Sequence, residues 1–381
     1  MPRPYGPVRM TTLSLNNISA KRWRYFEKHL PLQRMILPDA IKTSAKNARC
    51  STMIDVAKAA GVSLKTVSRV LNDEVYVKED TRRIVVEAAN VLNYRLNQAA
   101  RTLRAGSAQI IVLLVNNPSR SYLENLHFGA LKQCHRLGMQ LVLDECEDGI
   151  DGVRRVLDAL SPAGIIIAPP LSDNPDILAF LDERKISYVV IAPDDPANVS
   201  LSVSIDDELA AREMTEHLIS LGHRHIAFIR GHPTHIAANK RFAGYKSALM
   251  AHGIAIDDMI IGQGYFDWAS GLKCAEALLD LPSRPTAVFA SNDDMAASVI
   301  SAAYRRNIHV PRELSVAGFD DSQIAGIISP QLTTVFQPIS ELASAAVDLL
   351  NDALSPMQHS TRNIMFEHRI VQRESTGKPA L

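Results

Sequence analysis

The 381-residue sequence has few cysteines and lacks any long apolar run. Its four cysteines, Cys50, Cys134, Cys146 and Cys274, are widely separated and form no C-x-x-C pair, which argues against a disulfide framework or a zinc site. No apolar stretch approaches the roughly 18 residues of a membrane-spanning helix, and the N-terminal region has no apolar segment typical of a secretory signal. The sequence therefore predicts a cytoplasmic protein that does not bind membranes.

Recognisable catalytic motifs are also absent. The sequence contains no G-x-S-x-G, H-E-x-x-H, P-loop or complete G-x-G-x-x-G pattern. Histidines are dense between His217 and His235, but His223 and His225 open a predicted strand, and no cysteine or carboxylate stands at ligand spacing. We therefore expect no catalytic residue, no metal site and no cofactor, and we do not expect an enzyme.

The formal net charge is zero, but the charges are unevenly distributed. Residues 1–106 hold 19 Lys and Arg against 8 Asp and Glu, a net +11, and the remainder holds 22 against 33, a net −11. A basic end on an acidic body is typical of a polyanion-binding head. Residues 1–50 show no sustained period and are expected to be a poorly ordered basic extension. It is either an extra DNA- or membrane-binding arm or, as we prefer, the result of a start codon assigned too early.

Three short helices are predicted after residue 51. Thr52 and Asp55 form a capping-box pattern at the start of the first helix, Gly61 interrupts that helix, and Ser63 can cap the second. A third helix is predicted over roughly residues 79–92. Such helices with a tight turn between the first two are typical of a helix-turn-helix unit. The predicted apolar faces are Ile54, Ala57 and Ala60, then Val67, Val70 and Leu71, and finally Ile84, Ala88, Val91 and Leu92.

Short apolar runs alternate with helical patterns through the rest of the chain. This alternation predicts βαβ units with parallel sheets, and two series of runs predict two doubly wound lobes with a ligand cleft between them. The predicted strands are Ile110–Val115, Gln140–Leu143, Gly164–Ile167 and Tyr188–Ile191, followed by Ile226–Ile229, Met259–Gly262, Ala287–Ala290 and Ser315–Gly318.

The pieces Asp-Val-Ala, Ala-Gly-Val-Ser and Thr-Val-Ser-Arg, which lie in order between residues 53 and 72, and the later Leu-Asn-Tyr at 92–94 closely resemble the DNA-binding headpiece of the lac repressor family (LacI/GalR). Segments 221–229, 241–245, 291–295, 316–320 and 330–334 resemble the effector domain of the same family. The resemblance runs from Thr52 nearly to the C-terminus.

The resemblance implies that the second helix enters the major groove. Leu64 and Lys65 stand at the two positions that chiefly set operator preference in the family, and Arg69 suits bidentate contact with a guanine. Thr66 and Ser68 can donate to phosphates. For Lys65 the competing interpretation is a solvated lysine, and Val67 and Val70 are interpreted as core. The predicted DNA-binding residues of the headpiece are Thr52, Ser63, Leu64, Lys65, Thr66, Ser68, Arg69 and Asn72.

Residues 97–104 have an N-cap residue and good helix formers but are too short to form a stable isolated helix. Residues 96–106 resemble the hinge helix of the family, which implies that Leu103 wedges into the minor groove and that Ala100 packs on its two-fold mate. Arg101 and Arg104 supply charge for flanking phosphates, and Asn97 begins the segment. We expect this hinge to fold only against a partner hinge and DNA.

Polar residues follow the predicted strand ends at Asn117, Asn292 and Asp320, and Arg241 lies beyond a longer loop. Ligands of doubly wound sheets bind at this edge, and a guanidinium, a carboxylate and an amide suit the adjacent hydroxyls of a sugar. Arg241, Asn292 and Asp320 match effector-contacting positions of the family, and Phe266 lies near a position that is often aromatic. The competing interpretations are helix N-capping for Asn292 and ordinary packing for Phe266.

The expected fold is an all-α helix-turn-helix headpiece at residues 51–95 followed by an α/β two-lobe effector domain like a periplasmic binding protein. The resemblance places one lobe at 107–205 with 337–365 and the other at 206–336 with 366–376. It implies a homodimeric repressor that binds a pseudo-palindromic double-stranded DNA operator and responds to a small polar effector, a sugar or sugar derivative. A corepressor-activated regulator is an open alternative, and an exported solute-binding protein is a further one that the headpiece disfavours.

Overall fold

The computed structural model describes residues 52–71, 77–92, 110–355 and 361–380. The chain divides into two compact units, Met1–Leu96 and Asn97–Leu381. Several predicted features lie outside the described residues, and the predictions made for them stay predictions. They are the extension 1–50, Asn72, and the hinge 96–106 with Asn97, Ala100, Arg101, Leu103 and Arg104.

The first unit contains three helices, α1 Met53–Ala60, α2 Leu64–Leu71 and α3 Glu79–Val91. The predicted capping box of α1 is confirmed, because the Thr52 side chain accepts from the Asp55 N–H and the Asp55 carboxylate accepts from the Thr52 N–H at 2.8 Å. Gly61 ends α1 with φ 62°, a left-handed conformation that favours glycine. The Ser63 hydroxyl accepts from the Thr66 N–H at 3.1 Å, which confirms Ser63 as the cap of α2.

The three helices pack around a small core. Val67 and Val70 are buried, as predicted. The predicted faces of α1 and α3 are confirmed in part. Ala57 is buried, and Ala60, Ala88 and Leu92 pack against the core, but Ile54, Ile84 and Val91 are exposed. Short helices with apolar residues on more than one side offer two overlapping stripes, and the packing of three helices decides which stripe is buried. The buried residues of this core are Val56, Ala57, Val67, Val70, Val85 and Ala89.

The second unit is built on two six-stranded sheets. The strands are β1 Ile110–Val115, β2 Gln140–Glu145, β3 Gly164–Ile167, β4 Tyr188–Ile191, β5 Leu201–Ser204, β6 Ile226–Arg230, β7 Ile261–Gln263, β8 Ala287–Ala290, β9 Ser315–Asp320, β10 Thr333–Phe336, β11 Arg362–Met365 and β12 Arg369–Val371. The orders of the two sheets are β11-β5-β4-β3-β1-β2 and β12-β10-β9-β8-β6-β7. All pairings are parallel except that of β10 with β12.

Helices connect the strands and cover the sheets. Successive side chains of a strand point to opposite faces. Ile111 and Leu113 belong to one core cluster, and Val112 and Leu114 belong to another, so both faces of β1 are buried. The helices are α4 Arg120–Arg136, α5 Ile150–Leu160, α6 Pro175–Glu183, α7 Asp207–Ser220, α8 Ile236–Ala251, α9 Trp268–Leu279, α10 Asp293–Arg305, α11 Gln323–Ile327 and α12 Ile339–Ala353.

The chain crosses between the two sheets three times. After β5, helix α7 packs on α8 and β10 of the second sheet. After β10, helix α12 packs on α4, β3, β4 and β5 of the first sheet. Finally, β11 pairs in the first sheet and β12 in the second. Residues 205–206, 337–338 and 366–368 are therefore the connections of a two-lobed α/β body.

Most predicted strands are confirmed with small changes at their ends. The strand predicted over 259–262 is displaced, because Asp258–Ile260 forms a 3-10 turn and β7 follows it. Strands β5, β10, β11 and β12 were not predicted. These strands are short, and β5 (LSVS) and β10 (TTVF) are rich in hydroxyl residues. They lack the apolar run that identifies a strand in the sequence, and they are strands because they pair with a neighbouring strand.

The sequence predicts neither a membrane-spanning helix nor a metal site, and the described part of the chain was searched for both. None of its helices is long and apolar enough to cross a membrane. Within the same residues, no group of three or more His, Cys, Asp and Glu side chains could hold a metal ion. Cys134, Cys146 and Cys274 are free thiols.

Candidate functional site

Helix α2 has one buried face and one accessible face. Val67 and Val70 lie in the headpiece core. The hydroxyls of Ser63 and Thr66 are 2.9 Å apart at the start of the helix, which orders its first turn. The predicted DNA-binding residues within the described headpiece are all exposed or half-buried: Thr52, Ser63, Leu64, Lys65, Thr66, Ser68 and Arg69. This geometry suits the insertion of α2 into a major groove.

In the second unit, a cavity lies between the lobes at the carboxyl ends of the strands. This inner pocket encloses about 410 Å³ of empty space, measured to its open mouth. Four predicted effector residues line it, namely Asn117, Arg241, Phe266 and Asp320. Its other lining residues are Ser119, Tyr122, Pro169, Ala192, Asp207, His235, Ala237 and Gln337.

Arg241 on the second turn of α8 is the centre of the polar network. Its Nε donates to Oδ1 of Asp207 at 2.8 Å, and its Nη1 donates to the carbonyl of Ser291 at 2.6 Å. Nη1 is also 3.6 Å from Oδ1 of Asp320. The guanidinium stacks on Phe319 at 3.6 Å from the ring centroid. A donor fork held in this way is pre-organised for an oxygen-rich ligand.

Asp320 is the last residue of β9 and is buried beneath the pocket. Burial raises the pKa of Asp320 to about 7, while Arg241 and a hydrogen bond from Gln337 act in the opposite direction. Burial and the charge of Asp320 also raise the pKa of the neighbouring Asp293. Asp293 accepts from Thr334 and Ser322, so it joins the strand ends rather than the pocket lining.

Three residues that line the pocket have left-handed backbone. Ala192 has φ 48°, Phe266 has φ 64° and Asp320 has φ 112°, and such a conformation costs a non-glycine residue about 1–3 kcal/mol. Phe266 lies in the loop before α9 and is buried against the second-lobe core. Its ring therefore packs in the core and lines the pocket, so the packing interpretation is confirmed and an effector contact by Phe266 stays a prediction.

Asn292 takes a different place from the other predicted effector residues. It is the N-cap of α10, where its Oδ1 accepts from the Met295 N–H at 3.1 Å, and its Nδ2 donates to the carbonyl of Phe266 at 2.9 Å. It is fully buried and does not line the inner pocket. The capping interpretation is thus confirmed, and an effector contact by Asn292 stays a prediction.

A second, wider cavity adjoins the inner pocket. This outer basin encloses about 870 Å³ to its open mouth. Asn117 and His235 line both cavities, so together they form one cleft. The remaining lining of the outer basin consists of Asn116, Pro118, Arg120, Leu123, Glu145, Glu147, Pro170, His232 and Thr234.

Sequence reasoning missed several pocket residues. Gln337 directly follows β10, and Asp207 begins α7 after the connection 205–206 that follows β5. Because the sequence predicts neither strand, neither residue could be placed at a strand end. His235 was considered only as a metal ligand. Burial and the charges of His232 and Arg241 lower its pKa to about 4, so the imidazole is neutral at physiological pH. A neutral imidazole offers one donor and one acceptor to a ligand.

A helix-turn-helix unit and a two-lobed α/β body with a polar cleft together define a DNA-binding transcriptional regulator with a ligand-binding-protein fold. Residues 52–97 match the family of bacterial regulatory proteins of the lacI type, and residues 215–376 match the periplasmic binding protein-like domain. The transcriptional regulator AscG of Escherichia coli K12 is 34% identical over 336 residues, which cover 87% of this chain and 99% of that relative. The chain belongs to the LacI family, so the predicted regulator class is confirmed.

Solved structures show the same fold. The lac repressor dimer bound to operator and the anti-inducer ONPF superposes with a TM-score of 0.75 at 27% identity, covering 86% of this chain and all of that one. A complex of the transcriptional regulator CelR with cellobiose gives a TM-score of 0.64 at 28% identity, covering 85% of this chain and 99% of that one. The predicted fold class is therefore confirmed. These relatives are regulators, in agreement with the prediction that the chain is not an enzyme.

Proposed function

We propose that this regulator acts as a homodimeric repressor on a pseudo-palindromic DNA operator and is controlled by a small sugar-like effector in the cleft between its lobes. The observation that carries the proposal is the presence, on one chain, of an accessible helix α2 and of the Arg241–Asp320 pocket. The lac repressor neighbour is a dimer bound to operator, and the CelR neighbour is bound to cellobiose.

The DNA-binding role is assigned to α2 and the hinge. Leu64, Lys65 and Arg69 would contact base edges, and Thr52, Ser63, Thr66 and Ser68 would contact phosphates or cap helices beside them. The hinge residues Asn97, Ala100, Arg101, Leu103 and Arg104, together with Asn72, belong to the same proposal on the strength of the family resemblance.

The effector role is assigned to Asn117, Arg241, Phe266 and Asp320, with Asn292 holding the loop of Phe266. A guanidinium and a carboxylate side by side can bind two adjacent hydroxyls, and the aromatic face of Phe266 can contact the C–H face of a pyranose. The proposed lobes are 107–205 with 337–365 and 206–336 with 366–376, which the membership of β11 and β12 in different sheets supports.

Dimerisation follows from two half-sites that need two recognition helices. An exposed apolar surface on the first lobe is compatible with a partner: Phe128 and Leu131 are exposed on α4, and Leu143 is exposed on the edge strand β2 beside it. We place the protein in the cytoplasm, where its DNA is. The sign of the effector's action, induction or corepression, is left to the experiment below.

Two measurements test the proposal together. Selection from a random double-stranded DNA pool should return a site with two-fold symmetry, because a symmetric dimer reads symmetric half-sites. A thermal-shift screen of sugars should then reveal a stabilising ligand, since a ligand at 100 times its Kd stabilises by about 2.7 kcal/mol. The same sugar should change the affinity for the selected site. Asymmetric selected sites, or a stabilising sugar without effect on DNA binding, would contradict the proposal.

A further inference from the structure

The chain bends sharply where β9 ends at the inner pocket. Asp320 and Asp321 are consecutive residues with left-handed backbone, at φ 112° and φ 53°. Neither residue is glycine, so the bend is unfavourable for both and persists only where neighbouring groups hold it. Asp320 lines the inner pocket, whereas Asp321 does not. The direction of the Asp320 carboxylate therefore depends on the groups that fix this bend.

Side chains from two other elements hold the residues on either side of Asp321. Gln337, which follows β10, donates to Oδ1 of Asp320 at 2.6 Å. Asp293, the first residue of α10, accepts from the N–H of Ser322 at 2.7 Å. These hydrogen bonds fix the two ends of the bend and leave the carboxylate of Asp321 to another partner.

Arg373 supplies that partner from the C-terminal part of the chain. Its Nη2 lies 2.7 Å from Oδ1 of Asp321, and its Nη1 donates to the carbonyl of Leu332 at 2.9 Å. The side chains of Arg373 and Asp321 are only 20% and 15% exposed, so solvent screens this ion pair less than it screens a surface pair. One guanidinium thus ties the bend after β9 to the residue that precedes β10.

Residues 373–377, here called the C-terminal strap, are also held by hydrogen bonds that do not involve the Arg373 side chain. The N–H of Thr333 donates to Oγ of Ser375 at 2.8 Å, and this hydroxyl donates to the carbonyl of Val316 at 2.6 Å. We therefore expect the strap to stay on β9 and β10 when the Arg373 side chain is shortened. A substitution of Arg373 then tests the ion pair and not the docking of the strap.

On the basis of the effector role proposed above, we propose that Arg373 is a positioning residue for effector binding. Arg373 holds Asp321, Asp321 holds the left-handed bend, and the bend directs the Asp320 carboxylate towards the effector. Arg373 lines neither cavity, so it acts on the effector only through the bend. The strap, which follows the last crossing between the lobes, thereby contributes to the affinity of a pocket that it does not line.

Hydrogen exchange of the full chain without ligand tests the bend itself. In Arg373→Met, the amides of residues 319–323 should exchange about tenfold faster than in the wild type, because the bend relaxes when Asp321 loses its partner. Arg373→Lys can still pair with Asp321 but loses the hydrogen bond to Leu332, so it should give an intermediate rate. Arg369→Met is the matched control, because Arg369 lies on β12 and stacks on Phe336, 3.8 Å from the ring centroid. It should leave the exchange of residues 319–323 unchanged.

Titration calorimetry with neutral sugars tests the link between the bend and the effector. The probes are cellobiose, lactose, maltose, glucose, galactose and ribose, and the sugar that binds the wild-type chain most tightly is used for the variants. Arg373→Met and Asp321→Ala should each weaken that sugar about tenfold, and the double variant should weaken it no further, because the two residues act as one pair. Arg369→Met should leave the affinity unchanged. Affinity for the selected DNA site without sugar should be the same in all variants.

Each contrary result overturns a defined step. Unchanged exchange at residues 319–323 in Arg373→Met, or additive losses of sugar affinity in the double variant, would overturn the positioning role while the effector role stands. Weaker DNA binding by Arg373→Met without sugar would show a general structural role instead. If Arg373→Met does not fold, Arg373→Lys and Asp321→Ala decide by the same criteria. If none of the sugars binds the wild-type chain, the effector role fails and the positioning role fails with it.

Discussion

Arg241 and Asp207 form a buried ion pair at the base of the cleft, with Nε and Oδ1 2.8 Å apart and both side chains only 6% exposed. Asp207 is the first residue of α7, directly after the connection 205–206 between the lobes. The donor fork proposed to hold the effector is therefore fastened to a segment where the chain passes from one lobe to the other. We therefore expect a ligand that moves Arg241 to move the start of α7 as well.

We expect Arg241→Met to destabilise the body by about 3 kcal/mol or more, because it leaves Asp207 and Asp320 buried without their cation. Loss of effector binding in this variant would thus be mixed with loss of stability. The double variant Arg241→Met with Asp207→Asn should recover part of that free energy of unfolding in urea denaturation. Arg212→Met is the control, since Arg212 pairs with Glu216 on the surface of α7. Equal destabilisation by the single and double variants would contradict the pairing.

The buried carboxyl of Asp320 gives the folding free energy a defined dependence on pH. Its pKa is raised to about 7, above the value near 4 of an unfolded chain, so the folded state binds the proton more tightly. The stability contribution of this group is largest at low pH and is lost as the pH rises from about 4 to about 7. Asp320→Asn removes the ionisation and keeps an oxygen for Gln337.

The stability of Asp320→Asn relative to wild type should therefore increase by about 2 to 3 kcal/mol between pH 5 and pH 8. Urea unfolding at both pH values measures the change. Asp280→Asn serves as the control, because Arg306 lowers the pKa of this exposed carboxyl and it stays ionised throughout that range. A constant difference between Asp320→Asn and wild type at the two pH values would disprove the raised pKa.

The headpiece and most of the sheet could be predicted from the sequence, because capping residues and apolar runs act locally. Thr52, Ser63 and Gly61 determine helix ends within a few residues of themselves. The pocket could not be predicted in the same way. Asp207 and Gln337 lie where the chain crosses from one lobe to the other, after strands β5 and β10, which have no apolar run. The positions of these residues depend on how the chain crosses between the lobes, and no local sequence pattern indicates those crossings. For Asn292 the local pattern predicts helix capping, which the structure confirms. The same position in the family suggests an effector contact, and local sequence cannot distinguish between these two roles.

For DNA recognition, Arg69→Ala is expected to weaken operator binding by about 1–3 kcal/mol and to relax preference at one base pair, since a bidentate arginine reads guanine. Fluorescence anisotropy with the selected operator and its single-base variants measures both effects. Arg83→Ala is the charge-matched control, because Arg83 is exposed on α3 and lies 3.4 Å from Asp80. Arg83→Ala should leave base preference unchanged, and a similar profile for both variants would contradict the role of Arg69.

Among the hydrogen bonds that bridge the lobes, one joins α4 to α10 and another joins α8 to the loop after β4. Ser121 on α4 donates to Oδ2 of Asp294 on α10 at 2.8 Å. Lys240 on α8 donates to the carbonyl of Asp194 at 2.6 Å and to that of Pro193 at 3.3 Å. Because each contact joins one lobe to the other, each favours the arrangement in which the lobes are held together.

Removing both contacts should therefore change effector affinity without changing the groups proposed to touch the effector. Each hydrogen bond contributes about 1 kcal/mol net, so Ser121→Ala with Lys240→Met should lower effector affinity about tenfold or more if the effector binds the closed lobes. Titration calorimetry measures the affinity, and small-angle scattering should show a larger radius of gyration for the free variant. Arg212→Met, which breaks an ion pair within one lobe, should change neither quantity. An unchanged radius together with unchanged affinity would show that other contacts set the lobe arrangement.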